Sequence, residues 1–200
     1  MPPKSRHSDA GIFIDCGANV GKVLAEVFQE HPGWGFHAFE PNPECLPALH
    51  KLAIPNLTIH KEAVWVENGT QTLHLPRQIL SATLMESKRN LPIAGTLEVP
   101  TLDLAAWLLS LPPDPVTLKM DIEGAEYRVL PHLLDKGALE QVVELHVEFH
   151  YDRMTDVTKG EHDTLIRKLN TFFGADPRRV GKGFYAKIIW NKTGNGTTEG

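Results

Sequence analysis

Apolar positions along this chain form two kinds of run, short continuous blocks and stripes at helical spacing, and the two alternate. Ile12 to Asp15 is a short apolar block ending in a carboxylate, and it predicts a buried strand. From Val20 the apolar residues are Val20, Val23, Leu24, Val27 and Phe28, a helical stripe that Pro32 and Gly33 terminate. Trp34 to Glu40 predicts a second strand. "PNPE" opens a second helix running to about Ala53, with Pro43 suited to its first turn. Leu57 to Trp65 predicts a third strand. The order β-α-β-α-β with short connections implies a parallel sheet with right-handed crossovers.

Val66 to Pro100 breaks this rhythm. It holds a turn at Asn68–Gly69, a strand at Gln71–Leu75, the polar loop "SATLMESKRN" and a strand at Leu97–Val99. So long an interruption is not an idle connection in a compact domain. "TLDLAAWLLS" then predicts a short helix, in which Trp107 reads as core. "VTLKMDIEG" predicts a fourth parallel strand, and "AEYRVLPHLL" a helix that Pro131 kinks or restarts. "QVVELHVEFH" is a fifth strand. Glu161 to Phe173 is helical, with Leu165, Ile166, Leu169, Phe172 and Phe173 on one side. "GFYAKIIW" is a last strand that can run antiparallel. The expected organisation is one α/β domain over 11–190, with a flexible lead-in at 1–10 and a disordered tail at 191–200.

Bulk properties narrow the function classes. The chain has 200 residues, 42% of them apolar and 22% charged, which suits one globular domain with a full core. A formal charge of −5 gives no global field that favours nucleic acid. No apolar run approaches the ~18 residues of a membrane-spanning helix, and "MPPKSRHSDAG" lacks the apolar stretch of a signal peptide. Cys16 and Cys45 sit in different elements without metal spacing and read as reduced thiols. A cytoplasmic location follows. Asn-x-Thr triplets at Asn56, Asn68, Asn191 and Asn195 keep the secretory-pathway lumen open as the alternative, should the chain be a trimmed piece.

The candidate chemistry begins at "IDCGANVG". Ligands of open α/β sheets bind beyond the C-terminal strand ends. Gly17 and Gly21 follow the first strand, and Glu40 ends the second, 23 residues after Gly17, a spacing that suits a carboxylate on ribose hydroxyls. The glycines are equally explained as strand-to-helix punctuation, and Glu40 as a solvated strand end. The two features together point to a nucleoside-containing ligand. A dinucleotide loop would read G-x-G-x-x-G and aim amides at a pyrophosphate. Here the loop reads Asp15-x-Gly17-x-x-x-Gly21, and a carboxylate at its entrance repels a pyrophosphate and attracts an ammonium. S-adenosyl-L-methionine has an ammonium, a ribose and no phosphate.

"IDCGANVG", "FEPNP", "VPTLDLAAWL" and "LKMDIEGAEYRVL", in this order, resemble the FkbM-type S-adenosylmethionine-dependent methyltransferases, over about Gly11 to His150. The resemblance implies a class I methyltransferase (Rossmann-like) fold, a doubly wound, mostly parallel sheet of seven strands with the last antiparallel. It implies O-methylation, with a small-molecule or sugar hydroxyl as acceptor. Carried over by position, Asp15, Gly17, Ala18, Asn19 and Gly21 would line the methionine side of the cofactor. Glu40 would hold the ribose with Pro41 and Asn42 beside it. Glu62 and Ala63 would lie near the adenine, and Asp121 would face the methyl group. The chain after His150 matches no family motif, so acceptor specificity does not carry over.

Methyl transfer from a sulfonium needs the acceptor oxygen oriented about 3 Å from the methyl carbon and relieved of its proton. "KMDIEGAE" offers Asp121 and Glu123, two apart and so on one face of an extended strand. Glu126 falls in a first helical turn, where a carboxylate suits the helix dipole. In "ELHVEFH", Glu144, His146, Glu148 and His150 share one face of a strand expected to be apolar on both. One explanation is a general base, His150. A solvated edge is another. A third is a metal site using His146, Glu148 or His150, although same-face neighbours ~7 Å apart are wide for sharing one ion; no metal is assigned. The catalytic candidates are thus Asp121, Glu123 and His150. Ser81 to Asn90 reads as a lid over the acceptor or as an exposed loop, and Arg178, Arg179 and Lys182 as a solvated basic cluster. Competing functions are an NAD-linked oxidoreductase, a non-catalytic nucleoside-binding module of the same fold, and a nucleic-acid methyltransferase, which the acidic balance disfavours.

Overall fold

A computed structural model describes residues 10–76, 82–89, 92–174, 177–180 and 187–192. The strands β1 (Ile12–Cys16), β2 (Gly35–Phe39), β3 (Leu57–His60), β7 (Val116–Met120), β8 (Val142–Glu148), β9 (Arg178–Val180) and β10 (Lys187–Asn191) form a seven-stranded sheet in the order β3-β2-β1-β7-β8-β10-β9. β1, β2, β3, β7 and β8 are mutually parallel, and β10 runs antiparallel to both β8 and β9. The strand order reverses between β1 and β7, which places the crevice of an open α/β sheet beyond the ends of those two strands. This is the expected doubly wound sheet with its last strand antiparallel. β9 was not expected; its three residues are too few to carry a period-2 signal.

The helices are α1 (Lys22–Glu30), α2 (Leu46–Leu49), α3 (Leu104–Leu109), α4 (Glu126–Asp135) and α5 (Lys159–Phe173). α5 begins with a reciprocal capping box, in which the Thr158 side chain accepts from the Glu161 amide and Glu161 accepts from the Thr158 amide. It buries Leu165, Leu169 and Phe173 against the sheet. α2 is a single turn, shorter than the expected helix, because Asn42 to Cys45 precede it as turns and Ala53 ends the segment in a left-handed conformation (φ 50°). α4 runs through Pro131 without restarting.

Two expected elements divide differently. Leu57 to Trp65 is not one strand. The chain leaves the parallel sheet after His60, at the polar pair Lys61–Glu62, and β4 (Ala63–Trp65) joins a second sheet. That sheet has the order β4-β6-β5, with β5 at Gly69–Pro76 and β6 at Ile93–Asp103. β6 takes in Thr101 to Asp103, read from sequence as the start of a helix. Asp103 instead caps α3, its carboxylate accepting from the amides of Ala105 and Ala106. This small sheet is what Val66 to Pro100 builds. The lead-in at 1–9, the tail at 193–200 and Lys182 lie outside the described residues.

Trp107 is partly buried against the core and meets His37, Phe39 and His60 edge-on. Cys16 and Cys45 are buried free thiols, and burial pushes both pKa values up, that of Cys45 to about 12. Three of the four Asn-x-Thr asparagines spend their side chains internally. Asn56 donates to the Trp34 carbonyl, Asn68 accepts from the Asp103 amide, and Asn191 donates to Glu144. Asn195 lies outside the described residues.

Candidate active site

The apolar residues of β1 and β7 are fully buried, so the polar groups at their C-terminal ends are held in a rigid frame. Asp15 and Lys119 are register partners on these strands. Both are buried, with Lys119 Nζ 2.8 Å from Asp15 Oδ1, 2.9 Å from the Gly17 carbonyl and 3.6 Å from Asp121 Oδ2. Burial works against this ammonium, but Asp15 and Asp121 outweigh it and hold its pKa above the ordinary lysine value. The negative charge of Asp15 is therefore met from within the fold. Sequence reasoning passed over Lys119, although a lysine inside "VTLKM" was the signal. A charge in the middle of a buried strand requires a partner.

Beyond these strand ends lies a cleft of about 650 Å3, counting its open mouth. Of the residues singled out from sequence, Gly17, Asn19, Glu40, Pro41, Ala63, Asp121 and Glu123 line it. Asp15, Ala18, Gly21, Asn42 and Glu62 do not. Asp15 lies beneath, on Lys119. The Ala18 amide bonds the Phe39 carbonyl. Gly21 packs on α2, where an added Cβ would sit 2.4 Å from Leu52 Cδ1. Asn42 supports Glu40. Glu62 sits in the link between the two sheets.

Glu40 is buried and lines the cleft. Its Oε2 accepts from the Asn19 amide and its Oε1 from the Asn42 amide, each at 2.8 Å. A carboxylate offers about four lone-pair positions, so two bonds leave acceptor capacity. Burial raises the pKa of Glu40, against the pull of the two amides. One wall is apolar, formed by Phe39, Val64, Leu73, Ala82 and Leu84. Most of it comes from the second sheet and the segment after it, which no periodicity tied to the site.

Asp121 and Glu123, which line the cleft, converge with His150, and the three come from just beyond the ends of two different strands. His150 is 2% exposed. Its Nε2 lies 3.4 Å from Glu123 Oε2, 3.8 Å from Asp121 Oδ1 and 3.9 Å from Glu148 Oε1. Its Nδ1 lies 3.2 Å from Glu126 Oε1. Glu126 is fully buried and accepts from the amides of Ile122 (2.8 Å) and Gly124 (2.9 Å), so it is a fixed anchor as well as a helix-dipole partner. Burial would lower the pKa of His150, but Glu126, Glu123 and Asp121 raise it to about 9. The free protein thus holds a proton on His150 at neutral pH, and a base role requires that proton to be displaced first. Glu123 adopts φ 57°, a left-handed conformation that is uncommon away from glycine and concentrates at functional sites.

His146 does not join this group. It pairs with Glu144, which also receives Asn191. The polar face of β8 therefore splits into a structural half and a site half.

Residues 82–89 lie across the cluster. Thr83 Oγ1 donates to the Glu123 carbonyl at 2.8 Å, and Lys88 pairs with Glu123. The Thr155 amide donates to the Ser87 carbonyl at 2.9 Å, tying the strap to the chain just after His150. Lys88 and Thr83 were not singled out from sequence, because nothing in a polar loop marks which residues turn inward.

In fold, the chain is similar to Methyltransferase FkbM from Methylobacillus flagellatus KT (TM-score 0.58, 15% identity, 93% of this chain and 44% of that one). This chain thus spans less than half of that protein's length. It also aligns with an rRNA methylase from Streptococcus thermophilus (TM-score 0.48, 13% identity, 92% and 88% covered). A third alignment is with precorrin-6y C5,15-methyltransferase from Geobacter metallireducens GS-15 (TM-score 0.45, 15% identity, 92% and 80% covered). No curated protein matches the chain. The Methyltransferase FkbM domain matches residues 15–174, which include both Glu40 and His150, and the chain belongs to that family.

Proposed function

We propose that this protein transfers a methyl group to a hydroxyl of a small molecule or glycan, at the cluster of Asp121, Glu123 and His150. Family and fold imply S-adenosylmethionine as the methyl donor. The residues present fit that cofactor: Glu40 has carboxylate capacity facing the cleft, Gly17 and Asn19 form its floor, and the apolar wall suits an adenine. Bound there, the cofactor supplies an electrophilic methyl group. Asp121 and Glu123 are the carboxylates placed to accept the hydroxyl's proton. His150, steadied by Glu126, is placed to stabilise the charge left on the oxygen. Residues 82–89 exclude water from this cluster.

The observation that carries the reading is the convergence of a buried histidine on two carboxylates that line the same cleft as Glu40. It supports a hydroxyl acceptor because an alcohol, unlike a neutral amine, must lose its proton as it reacts. The test supplies labelled S-adenosylmethionine with paired alcohol and amine acceptors and follows the products by mass spectrometry. Methylated alcohols are expected, with turnover reduced about 100-fold or more in Glu123→Gln, from the lower end of the usual general acid–base contribution upward. Methylated amines with untouched alcohols would contradict the reading.

Among the described residues no helix is long and apolar enough to cross a membrane. We place the protein in the cytoplasm, supported by the internal use of Asn56, Asn68 and Asn191 and by the two free cysteines.

A further inference from the structure

We infer that Asp121, Glu123 and His150 bind a divalent cation of the Mn2+ class. Its use in the reaction rests on the acceptor site proposed above; its binding does not. The three residues each present one donor atom, and these atoms lie within 4.8 Å of one another. Bonds of about 2.1–2.2 Å to such a cation place neighbouring donors roughly 3 Å apart. The His150–Glu123 distance of 3.4 Å and the His150–Asp121 distance of 3.8 Å reach that by small side-chain rotations.

Three observations raise this above a cluster of acidic groups. First, His150 is almost wholly buried, and its Nε2, aimed into the cluster, has no hydrogen-bond partner among the described residues. Second, Nδ1 faces Glu126, itself fixed by two backbone amides. A carboxylate behind a histidine keeps a proton on Nδ1, so cation binding displaces only the Nε2 proton and takes that lone pair, as behind metal-ligating histidines. Third, three carboxylates face one nitrogen: Glu123, Asp121 and Glu148 each have an oxygen within 3.9 Å of His150 Nε2. A dication held there meets negative charge from all three. Two carboxylates with one imidazole suit Mn2+ and its harder relatives, not thiolate-preferring metals. The sequence spacing spoke against a shared ion within β8, and that still holds; the donors come together from β7 and β8.

Lys88 pairs with Glu123, so the cation competes with that ammonium for one carboxylate oxygen. At this position the cation would lower the pKa of a bound hydroxyl and leave Asp121 or Glu123 an easier proton to take.

The test titrates Mn2+ into chelator-treated, dialysed protein and follows the loss of the free-ion electron paramagnetic resonance signal. One saturable equivalent is expected. It should be lost in His150→Ala and weakened about 10–100-fold in Glu126→Gln, the usual range for a residue behind a ligand. Glu123→Gln, nearly isosteric, gives the same reading should His150→Ala fail to fold. Titration of the same samples with S-adenosylhomocysteine reports the cofactor site separately, so a failure of the methyltransferase reading shows there and not in the Mn2+ signal. Wild-type protein that takes up no Mn2+ saturably, or equal uptake in the folded variants, overturns the inference.

Discussion

Lys119→Met is expected to destabilise the protein by about 3–5 kcal/mol, the cost of leaving one member of a buried ion pair uncompensated. Asp15 has no exposed surface, and Lys119 Nζ sits 2.8 Å from it. Methionine nearly matches the volume of lysine, so the loss is electrostatic and not a packing defect. The same ammonium bonds the Gly17 carbonyl and approaches Asp121, so the variant should also loosen the turn that floors the cleft. Adding Asp15→Asn should recover more than half of the lost stability by removing the orphaned charge. Urea unfolding of the wild type and of both variants measures this. A single variant within 1 kcal/mol of wild type, or a double variant no better than the single, would mean that the pair is not the internal neutralisation described here.

Gly17→Ala is expected to cost about 2–5 kcal/mol. A left-handed conformation costs a non-glycine residue about 1–2 kcal/mol, and overpacking a tight site about 1–3 kcal/mol more. Gly17 has φ +80°, and an added Cβ would fall 2.0 Å from the Asp121 carbonyl oxygen and 3.0 Å from its carbon. Neither atom is a side-chain end that can swing away. The strand ends of β1 and β7 would have to part, carrying Asp121 with them, so cofactor affinity and stability should fall together. Thermal unfolding with and without S-adenosylhomocysteine separates the two effects. Normal stability would show that the turn can relax and that the glycine has another purpose.

Gly17 also shows what the sequence could and could not disclose. Its glycine requirement was legible from "IDCGANVG", and two reasons were open, punctuation or close approach to a ligand. The structure adds a third, close approach to the end of β7, a contact across more than 100 residues of chain that no local pattern encodes. Lys119 is of the same kind. Its oddness was visible in the strand, but its partner was fixed only by the register of β1 on β7. The parallel strands and long helices were readable because their apolar runs are continuous or periodic. The second sheet was half seen: β5 and part of β6 alternate weakly, and β4 was hidden in a run continuous with β3.

Single-strand logic gathered Glu144, His146, Glu148 and His150 on one face but could not say where that face divides. The start of α4 and the turn before it decide it, by bringing Glu126 and Glu123 to His150, while Lys88 of the strap pairs with Glu123. Asp15 shows the opposite limit. Its carboxylate reads from sequence as an ammonium attractor, and its burial on Lys119 gives that charge a structural partner first.

We assign the cofactor to the cleft that Glu40 lines. Isothermal titration of the protein with S-adenosylhomocysteine, alongside Glu40→Gln, tests this assignment. Micromolar binding is expected for the wild type and at least tenfold weaker binding for the variant, about 1.4 kcal/mol or more for lost charge-assisted bonds. A folded wild type that binds nothing, or a variant that binds equally well, would contradict it.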